Sequence, residues 1–194
     1  MQVKIAITGP ESSGKTTLAK SLNDFYTNSI IVHEFAREYL KKIQRKYNYN
    51  DLLEIAKGQR KREIIANTKN SQIIISDTTL QVIKIWSLEK FKKCDDWILQ
   101  QKENYTHYLL CKPDITWEPD PFRENPLDRD RLFNIYLKDL QGKSFTIISG
   151  DQKSRLSVGK KIINGYLNIK KTSKFTSFIR GANKAETIPI ESAR

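Results

Sequence analysis

The sequence predicts an α/β protein, a five-stranded parallel sheet with helices on both faces, and three observations carry that prediction. Short apolar runs alternate along the chain with longer segments of helical periodicity. Residues 9–16, Gly9-Pro10-Glu11-Ser12-Ser13-Gly14-Lys15-Thr16, fit G-x-x-x-x-G-K-[ST], a loop that cradles phosphate between a strand and a helix. Each expected strand also ends in polar or charged residues, and open α/β sheets bind ligands beyond the carboxyl ends of their strands.

The elements follow in order. Val3 to Thr8 is a short apolar run that suits a buried parallel strand. Thr17 to Leu22 opens a helix with Leu18, Leu22 and Phe25 on one face. Ile30 to His33 is the second strand, and Phe35 to about Tyr47 a helix. Asn50-Asp51 supplies a cap for a helix running to about Lys69. Gln72 to Ser76 is the third strand. A helix follows through Leu80, Ile83 and Trp86, with a short one near Asp95–Lys102. His107 to Cys111 is the fourth strand. Pro113, Pro119, Pro121 and Pro126 make residues 113–127 an irregular, lid-like connection, extending to about 131. Asp128 to about Leu140 is helical, Phe145 to Ile148 is the fifth strand, and Val158 to about Ile169 is the last helix. Residues 1–171 are expected to form the domain, with 172–194 a flexible basic tail.

A chain of 194 residues suffices for one α/β domain with a sizeable core. No apolar run approaches a membrane span, and residues 3–8 are too short for a signal peptide, so a cytoplasmic protein without a membrane partner is expected. Cys94 and Cys111 lack metal-ligand spacing and are expected as a reduced pair. The formal net charge is +12, of which residues 168–194 carry +4 from six basic and two acidic side chains. No stripe interleaves aromatics with basic residues, so nucleic acid is not expected as a partner.

The loop needs its glycines so that backbone N–H groups converge on a phosphate, and the following helix N-terminus adds favourable dipole charge. Gly9, Glu11, Ser12, Ser13, Gly14, Lys15, Thr16 and Thr17 are therefore expected to bind ATP, with Lys15 on the outer phosphates and the Thr16 hydroxyl on Mg²⁺. Asp77 stands where such an enzyme's carboxylate holds Mg²⁺ directly or through water, though it can equally cap a helix. Glu34, expected on the strand beside the loop's own strand, is the candidate base on a substrate hydroxyl. It can instead pair with Arg37 or serve as an ordinary helix-start carboxylate. Which of Glu34 and Asp77 accepts the proton stays open. Trp117 and Phe122 can stack on a planar ring, and Asp120 can bind sugar hydroxyls or balance a positive ring. Arg123, Arg129 and Arg131 can close over transferring phosphate, but Arg129 and Arg131 lie two residues apart and cannot both face the site. A closing lid would exclude water. Asn67-Thr68-Lys69-Asn70 is not the guanine-reading Asn-Lys-x-Asp, and no second ATPase signature is present. A P-loop NTPase of the nucleoside- or nucleotide-kinase-like kind is expected. An ATP-binding regulator, or an ATPase using the basic tail, is the alternative.

Several segments resemble a known family. They are Gly9 to Thr17, Glu34-Phe35-Ala36-Arg37-Glu38-Tyr39, Ala56-Lys57-Gly58-Gln59, Asp77-Thr78, Leu109 to Arg123 and Ile148-Ser149-Gly150. In this order, over roughly residues 1–165, they look like the ribosylnicotinamide kinase domain of NadR-type proteins. The resemblance implies ATP- and Mg²⁺-dependent phosphorylation of the ribose 5′-hydroxyl of nicotinamide riboside, giving nicotinamide mononucleotide in NAD salvage. It implies that Lys15 and Thr16 hold ATP and Mg²⁺, and that Glu34, Asp77 and Asp120 serve the ribose, the metal or the base. Arg37 and Trp117 would meet the acceptor, with Arg123 at the lid. The chain starts at the first kinase strand, so the helix-turn-helix repressor region and adenylyltransferase domain of longer members are not expected. His33 stands where some relatives carry an aromatic residue against the nicotinamide ring. Another nucleoside or cofactor precursor is the alternative acceptor.

Overall fold

In β1 (Val3–Thr8), Val3, Ile5 and Ile7 point to one face and Ala6 to the other, and all are buried. That two-sided burial is the signature of a central parallel strand. A computed structural model describes residues 2–182 and places β1 in the middle of a five-stranded sheet. With β2 (Ser29–Val32), β3 (Ile73–Asp77), β4 (His107–Cys111) and β5 (Phe145–Ile148), the order is β2-β3-β1-β4-β5. Every pairing is parallel. The strands pair Ile7 with Asp77, Thr8 with Leu110, and Cys111 with Ile148, so all five carboxyl ends share one rim.

Helices cover both faces. The first face packs Val3, Ile5, Ile73 and Leu109 against Leu18 and Leu22 of α1 (Lys15–Phe25) and Ile163 of α7 (Gln152–Ala182). The opposite face packs Ala6, Tyr108 and Leu110 against α4 (Leu80–Phe91) and α6 (Arg129–Asp139). A third apolar cluster joins α2 (Ala36–Ile43), α3 (Tyr49–Asn67) and α4, with Ile98 of α5 (Asp96–Gln100), outside the sheet.

Boundaries differ from the sequence reading where capping chemistry decides them. The cap of α3 is Asn48, not Asn50-Asp51. Its side chain accepts from the Asn50 and Asp51 amides, while Asp51 reaches back to the Asn48 amide at 2.7 Å. This reciprocal box holds Asn48 in extended backbone, and α2 stops at Ile43, with Gln44 left-handed, rather than at Tyr47. Phe25 lies off the apolar face, 49% exposed, beneath the Lys160 ammonium. Helix α7 starts at Gln152, before Val158, because Asp151 accepts from the Ser154 amide at 2.8 Å. It runs on to Ala182, across the expected boundary at 171/172, and residues 183–194 of the expected tail lie outside the described residues.

Candidate active site

The loop between β1 and α1 turns on two glycines. A Cβ on Gly9 would lie 2.6 Å from the Cys111 carbonyl oxygen, and Gly14 has φ +79°. Gly14 is also the N-cap of α1 and offers no side-chain acceptor, so no side chain caps the first turn's N–H groups, which an anion can then engage. Ser13 Oγ donates to the Pro10 carbonyl at 2.8 Å, fixing the turn from inside. Lys15 Nζ donates to the Gly9 and Pro10 carbonyls at 2.9 and 2.6 Å, which stations the ammonium over the loop. Thr16 and Thr17 are exposed at its exit.

Behind the loop stands a residue the sequence reading missed. Arg155, 4% exposed, donates to the Ser13 carbonyl at 2.8 Å, the Gly150 carbonyl at 2.7 Å and the Lys112 carbonyl at 3.0 Å, and pairs with Asp114. Asp114 in turn accepts from the Gly150 amide at 2.8 Å. One guanidinium thus joins the loops that follow β1, β4 and β5. Only the opposite charges of Asp114 and Arg155, 41 residues apart, hint at it in the sequence.

The two carboxylates occupy different places from those expected. The strand beside β1 is β3, not β2, because the chain crosses to the sheet edge first and returns inward. Asp77, the last residue of β3, is therefore the carboxylate adjoining the loop's strand, while Glu34 follows the edge strand. Asp77 does not cap α4, whose N-cap is Thr79. It is 2% exposed, and its Oδ1 is buried without a hydrogen-bond partner. Burial pushes its carboxyl above the ordinary range, and the Thr16 hydroxyl and Lys15 charge pull it partly back. An orphaned buried carboxylate oxygen beside a threonine hydroxyl and a phosphate cradle fits Mg²⁺, which takes one or two protein ligands and completes its shell with phosphate and water. Among the described residues no group of three or more His, Cys, Asp or Glu forms a closed metal cage.

Glu34 is half-buried with Arg37 Nε 4.0 Å away. Burial raises its pKa, Lys15 lowers it, and the neighbouring Asp77 charge raises it again. Its backbone is tied down by the Ala56-Lys57-Gly58-Gln59 segment. Gln59 Oε1 accepts from the Phe35 amide at 2.9 Å, and a Cβ on Gly58 would lie 2.1 Å from the Phe35 ring. Arg62 adds a hydrogen bond to the Glu34 carbonyl at 3.3 Å and an ion pair with Glu38. His33 is exposed.

A cleft of about 210 Å³ begins at Lys15 and Glu34 and is walled by Arg37, Trp86, Phe122 and Tyr136. Trp117, expected as a stacking platform, is not part of this wall. The guanidiniums of Arg123 and Arg129 lie 5.9 and 5.6 Å from its ring centre, so its face is already covered. Phe122, the other aromatic expected to stack, does line the cleft, together with Trp86. Asp120 is likewise outside the lining. It accepts from Arg37 Nη1 at 2.6 Å, which holds its carboxyl below the ordinary range and orients Arg37. Arg123 lines the cleft and donates to Ser12 Oγ at 3.3 Å and to the Glu118 carbonyl. Arg129 donates to the Ser12 and Ile115 carbonyls at 3.1 and 3.0 Å, whereas Arg131 pairs with Asp128 and Glu89, as a two-residue offset on a helix requires. Glu11 turns to the lid, accepting from the Glu124 and Asn125 amides. Cys94 and Cys111 are free thiols. Among the described residues no helix is long and apolar enough to cross a membrane.

Comparison with known proteins agrees with this architecture. The AAA domain family matches residues 4–155. A NadR protein solved in complex with NR superposes with a TM-score of 0.74 at 19% identity, covering 85% of this chain and 51% of that one. Deoxyadenosine kinase from M. mycoides gives 0.61 at 15% identity, covering 84% and 100%. Thymidylate kinase from Ehrlichia chaffeensis gives 0.55 at 16%, covering 83% and 98%. The shared fold is that of P-loop nucleoside and nucleotide kinases, and the chain spans about half the length of the NadR chain. No curated protein matches the sequence.

Proposed function

The chain belongs to the AAA domain family, and we propose that it acts as an ATP-dependent kinase of a nucleoside hydroxyl, with the ribose 5′-hydroxyl of nicotinamide riboside as acceptor. The observation that carries this reading is that one cleft holds the phosphate-loop lysine, a half-buried carboxylate and aromatic walls. A switch or motor needs no such acceptor compartment beside its nucleotide phosphates.

In the proposed reaction the acceptor oxygen attacks the γ-phosphorus, the bond to the ADP oxygen breaks, and the hydroxyl proton leaves to Glu34. Glu34 rather than Asp77 receives this role because it lines the cleft and Asp77 does not, while burial raises the pKa of both carboxyls. Thr16 and Asp77 would hold Mg²⁺, which when bound neutralises charge on the phosphate oxygens. Lys15 and Arg123 place fixed positive charge where charge develops during transfer. Phe122 and Trp86 would cover the acceptor base, and Arg37, oriented by Asp120, would meet the ribose. The NadR complex with NR supports the choice of acceptor, as do the Glu34-to-Tyr39 and Leu109-to-Arg123 segments.

The catalytic unit is assigned to residues 1–171 of a cytoplasmic enzyme, with 172–194 as a basic extension that turnover does not need. The test is a panel of nucleosides and cofactor precursors with ATP and Mg²⁺, read by mass spectrometry. A product heavier by one phosphoryl group is expected from nicotinamide riboside. Products from other nucleosides but never from this one would refute the acceptor.

A further inference from the structure

The lid over the cleft lacks secondary structure of its own, and its prolines break any regular backbone pairing across 113–127. Its amides must find acceptors elsewhere, and several find them on the phosphate loop. Glu118 N–H donates to Ser12 Oγ at 3.0 Å. Glu124 and Asn125 N–H both donate to Glu11 Oε2, at 2.9 and 3.0 Å. Glu11 and Ser12 precede the Gly14-Lys15-Thr16 cradle, and Ser12 adopts φ +49°, a conformation uncommon for a side-chain-bearing residue.

We infer that Glu11 is a positioning residue that fastens the acceptor lid to the donor loop, so that the lid seals only over a correctly ordered phosphate site. The inference rests on the kinase reading. In its terms, Glu11 binds the lid rather than ATP. One carboxylate oxygen receiving two amides is a charge-assisted pair of bonds, and its loss loosens the Glu124–Asn125 end of the lid, while Asp120 and Glu118 keep their bonds to Arg37 and Ser12. A loose lid admits water to the cleft. A water oxygen then attacks the γ-phosphorus in place of the acceptor, the bond to the ADP oxygen breaks, and inorganic phosphate leaves. Glu11 therefore sets the ratio of transfer to hydrolysis.

Two measurements on the full chain test this. Hydrogen exchange at the Glu124 and Asn125 amides should be faster in Glu11→Ala by about fivefold or more, as loss of a hydrogen bond requires. Glu11→Gln, whose amide oxygen can accept the same bonds, should stay near the parent. In parallel, phosphate release relative to acceptor phosphorylation should rise in Glu11→Ala and return in Glu11→Gln. Unchanged exchange in Glu11→Ala would overturn the latch. Faster exchange with an unchanged hydrolysis ratio would overturn its role in excluding water. If the parent phosphorylates no acceptor, the kinase reading fails while the exchange experiment still reports on the latch.

Discussion

Arg155 and Asp114 pair across the strand ends behind the phosphate loop, and the same guanidinium also donates to the carbonyls of Ser13, Gly150 and Lys112. Breaking a buried pair from one side strands its partner. Arg155→Met should therefore cost about 3 kcal/mol, below the top of the range because Asp114 keeps 26% of its side chain exposed. Arg155→Lys should recover little, since a single ammonium cannot span these acceptors. Denaturant unfolding of both variants measures this, and the KM for ATP should rise more than that for the acceptor.

Gly58 is predicted to be intolerant for a packing reason. A methyl group there meets the Phe35 ring at 2.1 Å. Gly58→Ala should lose about 1–3 kcal/mol. Adding Phe35→Leu should restore part of it, a coupling that a double-mutant cycle reads directly.

Turnover should depend on the ionisation of Glu34. Burial raises its pKa above 4.5. The base must be deprotonated, so kcat/KM should rise with pH through that raised value, placing the acid limb above the ordinary carboxylate range. Glu34→Gln should remove this limb and lower kcat by about 10²–10⁴-fold.

Asp77 should trade stability for function. Its folded pKa lies above the ordinary 3.8, so the folded state holds its proton more tightly than the unfolded chain does. Its contribution is then complete below 3.8 and is lost as pH rises through the raised folded value. Asp77→Asn should match the parent in acid and become the more stable protein as pH rises, while losing turnover. Paired unfolding curves across this window check the sign.

Much of this arrangement was legible in the sequence because it is local. The Gly9–Thr16 spacing, the apolar strands and the proline-rich lid are patterns over a few residues, and the five strands appear where the pattern puts them. What was hidden depends on distance in the chain. Strand order is decided by crossovers, so no local signal shows that β3 enters beside β1 and exchanges the neighbourhoods of Asp77 and Glu34. Trp117 is aromatic and sits in the right segment, but two arginines from further along the chain cover its face. Arg155 and Gly58 act through partners 41 and 23 residues away, and only the folded contacts assign them work.

The fate of the γ-phosphoryl group tests the central claim most directly. With γ-labelled ATP, Mg²⁺ and nicotinamide riboside, the label should pass to the nucleoside monophosphate, and Lys15→Ala should lower that transfer by about 10²–10³-fold. Label found only in inorganic phosphate, at a rate indifferent to the nucleoside, would contradict a kinase.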